Sequence, residues 1–311
     1  MRITLTMQNS QNLLNIENDQ DQISQISQSV SSGQKLSTPA DDPYAWAQSM
    51  NIQQGLREYN SILNNITFAT GWEQETDSAL NQISNLVSQA EQAAITATST
   101  EGTEQSASLA SQVDSILQQV LALSNSQYGD QYIFGGASTS SPPFSIDEST
   151  GVVTYNGDSN SINVRTAVGS ASTGNSTPVN LTGTQVFYYT SGGNNTNVLQ
   201  ELRGLKQAIE TGDSATISSK LTTLQDAFNN INDMSAINGG MLSELSTQKS
   251  AISAFQTNEQ STLSSLDDTD MASAATQLQQ AQTAYQAALQ VTGQLENLNL
   301  ASILTGSSSS S

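Results

Sequence analysis

Three kinds of residue in this chain could do chemistry. Asp41-Asp42 is a carboxylate pair, and Asp267-Asp268-Thr269-Asp270 is a denser acidic cluster. Paired carboxylates can serve as acid and base across a cleft, and acidic loops can hold calcium. The second cluster lacks the glycine and the distant bidentate glutamate of a calcium loop. Both clusters sit where a helix restarts, and capping explains them better. Asn65-Ile66-Thr67, Asn175-Ser176-Thr177, Asn180-Leu181-Thr182 and Asn194-Asn195-Thr196 are glycosylation-type triplets, expected by chance in so Asn- and Thr-rich a chain. The chain has no cysteine and no histidine. Disulfides, thiolate nucleophiles, imidazole bases and the usual zinc sites are therefore excluded. No catalytic residue, cofactor or metal site is expected.

Charge narrows the partners. Eight basic and 28 acidic residues give a formal net charge of −20. A nucleic-acid binder needs clustered Lys and Arg, and the basic residues here are scattered from Arg2 to Lys249. Anionic membrane surfaces are disfavoured for the same reason. The opening Met1-Arg2-Ile3-Thr4-Leu5 is not followed by an apolar stretch of about ten residues, so no cleavable secretory signal is expected. No window approaches the ~20 apolar residues of a membrane span.

The elements that position these residues follow from hydrophobic spacing. Only 35% of the residues are hydrophobic and 5% aromatic, which suits long helices with narrow apolar stripes. Leu13, Ile16, Ile23, Ile26 and Val30 fall on one stripe, and Gly33 should end that helix. Asp42 and Pro43 read as cap and first turn of the next. Steps of four and three from Ile52 to Ala97 persist through Gly71, predicting one helix from about Pro43 to Thr98, roughly 80 Å long. A further helix follows to about Tyr128. The middle changes to short strands: Gln131–Gly136, Gly151–Asp158 with an Asn156-Gly157 turn, Ile162–Arg165 and Gln185–Tyr189. Helical spacing returns at Leu199, breaks at Gly212, and runs through the Gly239-Gly240 pair to Leu263. A last helix carries Met271, Ala274, Leu278, Ala281, Tyr285, Ala288, Leu289, Leu295, Leu298 and Ile303.

The fold expected is mainly α with a small β insertion. Long antiparallel helices pack together, the terminal helices form a coiled coil, and a β-rich outer domain lies between. The expected domains are 1–38 with 265–311, 39–136 with 198–264, and 137–197. The insertion is expected to project like a surface loop and to be replaceable by a short linker. The terminal stripes are the one functional feature: Leu13, Ile16, Ile23, Ile26, Val30, Met271, Leu278, Tyr285, Leu289, Leu295, Leu298 and Ile303. Both an intramolecular core and a subunit interface would bury them. Their narrowness and length favour assembly.

Several stretches together resemble the flagellin superfamily, whose ends form a coaxial coiled coil. They are Met1-Arg2-Ile3-Thr4, Ser31-Ser32-Gly33-Gln34-Lys35-Leu36, Ser37-Thr38-Pro39-Ala40-Asp41-Asp42-Pro43 and Asp267–Ala275. Flagellins usually carry Asp-Asp-Ala where Asp41-Asp42-Pro43 stands. Tyr128–Gly136, Pro143-Phe144, Gly151–Asp158 and Gly183–Phe187 resemble the hook-associated branch of that superfamily. One departure is the tail after Leu304, which ends in five serines. The resemblance implies an extracellular structural subunit at the hook–filament junction, exported through the flagellar type III apparatus. Implied partners are copies of itself in a ring, the proximal junction protein, flagellin and an export chaperone. Flagellin itself is the nearest alternative, and a secreted coiled-coil adhesin an alternative of another class.

Overall fold

The computed structural model describes residues 5–99, 103–147, 150–168 and 176–306, with side chains of 5, 6, 8, 9, 103 and 295–306 outside the description. Helices dominate: α1 (Leu5–Ser32), α2 (Pro43–Thr98), α3 (Thr103–Ser124), α4 (Gly183–Phe187), α5 (Val198–Thr211), α6 (Ser214–Asp267) and α7 (Met271–Gly306). Among the described residues eight short strands form four antiparallel pairs. They are β1 (Gln127–Tyr128) with β2 (Gln131–Tyr132), β3 (Phe144–Ile146) with β4 (Val153–Tyr155), β5 (Asn163–Arg165) with β6 (Ser176–Pro178), and β7 (Tyr188–Ser191) with β8 (Asn194–Asn197). The chain divides into two compact units, 1–57 with 256–311 and 58–255. Both α2 and α6 contribute to each.

Local chemistry sets the helix ends. Gly33 adopts φ +74°, a left-handed conformation that closes α1. Asp42 Oδ1 accepts the Tyr44 and Ala45 amides at 3.0 Å, and Pro43 opens α2 with no amide to satisfy. Asn197 caps α5, which stops at left-handed Gly212. Asp213 takes the Thr216 amide at 3.1 Å to begin α6. Gly71 lies inside α2 because the Tyr128 hydroxyl sits 2.2 Å from where its Cβ would be. As the register predicts, α6 runs unbroken through Gly239 and Gly240.

In the unit 58–255, buried residues of α2, α3, α5 and α6 join one cluster, including Trp72, Leu80, Val87, Val113, Val120, Leu202, Leu224 and Ile231. The segment around the strands belongs to the same cluster. Phe144, Leu181, Val186 and Phe187 are buried in it, with the Phe187 ring centroid 5.3 Å from Phe134 and 4.7 Å from Phe144. Val179 completes a second cluster with Ile62, Ile66, Ala69, Leu245 and Ile252. Near this cluster Tyr59 stacks on Phe255, centroids 6.4 Å apart.

Three expectations are corrected. Gln185-Val186-Phe187 form a helical turn, not a strand. Thr182 and Gln185 make a reciprocal capping box there, and only Tyr188 and Tyr189 extend. Likewise Ile133 and Phe134 follow β2 rather than prolong it. Nor is the insertion a projecting loop. Its aromatic and aliphatic side chains fill the interior that the helices enclose, so a linker in its place would leave that interior open.

Candidate assembly interface

The other unit comprises 1–57 with 256–311. Its helices α1 and α7 pack along each other, antiparallel, and are joined at one end by a non-local bridge. There the Lys35 amide donates to the Asp267 carbonyl at 2.5 Å and the Thr269 amide to the Gly33 carbonyl at 2.9 Å. Gln34 pairs with Asp268. The Asp267 carboxylate, buried here, accepts the Leu36 amide at 3.3 Å and Gln34 Nε2 at 3.1 Å. Of the acidic cluster, Asp270 does cap α7, accepting the Ala272 and Ser273 amides at 3.0 and 3.1 Å. Asp267 does something that capping did not anticipate: it fastens the two connectors to each other. The readable signal was that Gly33-Gln34-Lys35-Leu36 and Asp267–Asp270 interrupt two arms expected side by side.

Asp41 and Asp42 are spent on the chain's own backbone. Amide hydrogen bonds from Thr38 and Ser37, at 2.7 and 3.0 Å, hold the Asp41 carboxyl below its ordinary range. Among the described residues no group of three or more His, Cys, Asp or Glu is placed to hold a metal ion. A groove of about 370 Å³ opens between the end of α1 and the start of α7, lined by Ile26, Lys35, Asp268, Asp270, Ala274 and Gln277. No helix among the described residues is long and apolar enough to cross a membrane.

The predicted stripes divide into two sets. Ile16, Ile23, Ile26, Val30, Leu278 and Tyr285 are half-buried, and Ala274 fully so. Counting back from the Gln34–Asp268 bridge at equal rise brings Ile23 level with Leu278 and Ile16 with Tyr285, to within one residue. These make the seam between the two helices. Leu13, Met271 and Leu289 remain 60%, 49% and 45% exposed. Leu14 and Val291, which the stripe omitted, are exposed as well. The same count sets Leu13 level with Leu289. Leu295, Leu298 and Ile303 lie on α7, with side chains outside the described residues. A pair of helices has one seam, and apolar side chains away from it find no cover within the pair.

A helical pair built from both ends of the chain and a helix-and-hairpin body define a class. The chain belongs to the flagellin family: the bacterial flagellin N-terminal helical region matches residues 3–139 and the C-terminal helical region residues 205–304. Within it, the chain is similar to flagellar hook-associated protein 3 of Salmonella typhimurium, 28% identical over 325 residues, covering 96% of this chain and 98% of that protein. The Escherichia coli protein of the same name is 25% identical over 312 residues, with the same coverage. Among solved structures, flagellar hook-associated protein-3 of Legionella pneumophila superposes with a TM-score of 0.62 at 15% identity, covering 70% of this chain and 98% of that one. FlgL of Xanthomonas campestris does so with 0.60 at 16%, covering 68% and 99%.

Proposed function

We propose that this chain is a structural subunit of the bacterial flagellum at the hook–filament junction, linking the hook side to the flagellin filament. Relatives named flagellar hook-associated protein 3 align along nearly the whole chain and support that place. The observation that carries an assembly role is the exposed apolar set on the terminal pair: Leu13, Leu14, Met271, Leu289 and Val291. In a ring, a neighbouring copy covers them. The proximal junction protein then lies on one side and flagellin on the other, and the subunit arrives through the flagellar export route with a chaperone. The work is adhesion and shape, without catalysis. The Tyr128–Gly136 segment resembles the hook-associated branch and favours this reading over a filament flagellin.

Leu289→Asp tests it. The side chain is 45% exposed in the single chain, so the variant should fold. At an apolar interface the carboxylate would be dehydrated without a partner, a cost of several kcal/mol repeated at each copy. In a strain lacking the native protein, the variant should be exported yet recovered from the medium, leaving hooks without filaments by electron microscopy. Gln286→Asp, at an exposed polar position, should support filaments. Normal filaments with both variants would refute the terminal pair as the assembly element.

A further inference from the structure

A single level of the 58–255 unit gathers features that weaken both of its long helices. On α2, Glu73 is fully buried, and neither carboxyl oxygen has a hydrogen-bond partner. Beside it the buried Trp72 Nε1 is also without one. Across from it on α6, buried Asn238 gives its Nδ2 to the Glu73 carbonyl at 2.9 Å, and its own Oδ1 receives nothing. Gly239 and Gly240 follow at once, with open space where their Cβ atoms would stand, and Gly71 lies in α2 two residues before Glu73. Buried polar atoms are almost always satisfied, and mid-helix glycines are costly, so their coincidence at one level calls for a role.

We infer that the level formed by Gly71–Glu73 and Asn238–Gly240 is a proton-controlled weak point in the bundle, closed while the Glu73 carboxyl holds its proton and opening when it ionises. Among the described residues no counter-charge acts on this carboxyl. From α6, Asn238 bonds the Glu73 carbonyl, Ser235 reaches Asp77, and Met234 and Met241 pack against the same core; none of the four titrates. From β1 comes Tyr128, whose ring lies against Phe68 and Trp72. On α2, Asp77 is held by Ser235 and Glu75 is exposed, as are Asp233 and Glu244 on α6. Of the cations on α5 and α6, Lys206 is engaged with Asp114 of α3 and Lys220 with Glu201. Glu201 shows the contrast. It too is buried, yet Lys220, Thr196 and Thr223 donate to it, and these bonds outweigh the burial that would raise its pKa. Glu73 has only burial acting on it, which pushes its carboxyl up to about 7.

The direction follows. The folded chain holds this proton more tightly than the unfolded chain, whose glutamate titrates near 4.5. The stability it contributes is complete below about 4.5 and is lost as pH rises through about 7. The effect on the closed-to-open equilibrium is on the order of a hundredfold.

The test uses the purified full chain between about pH 4.5 and 8.5. Amide protons of residues 236–241, corrected for intrinsic exchange, should lose protection across that window, and those of α3 and α5 should lose far less. In Glu73→Gln this local loss should vanish. The pair Gly239→Ala and Gly240→Ala should raise protection at every pH and keep the slope, because the carboxyl remains. Uniform loss in the native chain, an unchanged slope in Glu73→Gln, or a slope abolished by the alanines would each overturn the inference. If Glu73→Gln does not fold, the native exchange pattern and the alanine pair decide.

Discussion

Gly71 and Gly240 both sit inside long helices, and the same substitution at each should act with opposite sign. A Cβ at Gly71 would meet the Tyr128 hydroxyl at 2.2 Å and ring carbon Cζ at 2.6 Å. The ring is held between Phe68 and Trp72 and cannot simply swing aside. Gly71→Ala should therefore cost about 1–3 kcal/mol through overpacking. A double-mutant cycle with Tyr128→Ala should show strong coupling, since removing the ring removes the clash. At Gly240 nothing lies within 4 Å, so Gly240→Ala should gain about 1 kcal/mol from helix propensity. Denaturant titration of the three single variants and the double variant checks both signs. Equal signs at the two glycines would contradict this account of Gly71.

At the scale of elements, the joint between α1 and α7 makes a separate prediction. Asp267→Ala leaves the buried Leu36 amide without its acceptor and should cost about 1–3 kcal/mol. Because the bridge lies within the terminal unit, protease cleavage should rise around 33–36 and 267–269, with residues 58–255 as resistant as before. Unchanged cleavage there would mean that backbone pairing alone holds the joint. Element boundaries set by local chemistry were legible in the sequence: Gly33, Asp42-Pro43, Gly212 and Asp270 all act as their residue types suggest. The α4 turn was misread because Val186-Phe187-Tyr188-Tyr189 has strand propensity. Its capping signal, Thr182-x-x-Gln185, is local but only one turn long. The joint could not be read from either arm alone, since its partners are separated by most of the chain. For the candidate interface, the stripe was legible but its division was not. Spacing identifies an apolar face, and only the packed pair shows that Ile23 and Leu278 lie in the seam and Leu13 and Leu289 outside it.

For the molecule as a whole, the strand region sets a limit on what can be removed. Phe144, Leu181 and Phe187 are each at most 2% exposed, and they lie within the interior formed by α2, α3, α5 and α6. Replacing residues 137–197 by a Gly/Ser linker deletes these side chains together, where a single buried Phe→Ala change costs about 3–5 kcal/mol. Three such losses together are comparable to the roughly 5–15 kcal/mol by which such proteins are folded. The product should lose its cooperative thermal transition by circular dichroism. A deletion variant that melts cooperatively near the native temperature would show that the helices can close without it.

The stacked rings of Tyr59 and Phe255 bear on the order of events when the chain takes its shape. The two halves of the terminal pair are separated by almost the entire sequence, so neither can find the other until synthesis or passage through a conduit has delivered both. In a random coil their meeting would have to close a very long loop. Once the middle has folded, Tyr59 and Phe255 stand 6.4 Å apart at their ring centres, and the remaining loop is only the two short arms that leave them. The entropic saving is about 1–2 kcal/mol by the logarithmic law for loop closure. The middle thus acts as a clasp made in advance: it hands the two ends to each other, and whatever holds the ends apart holds the subunit unfinished.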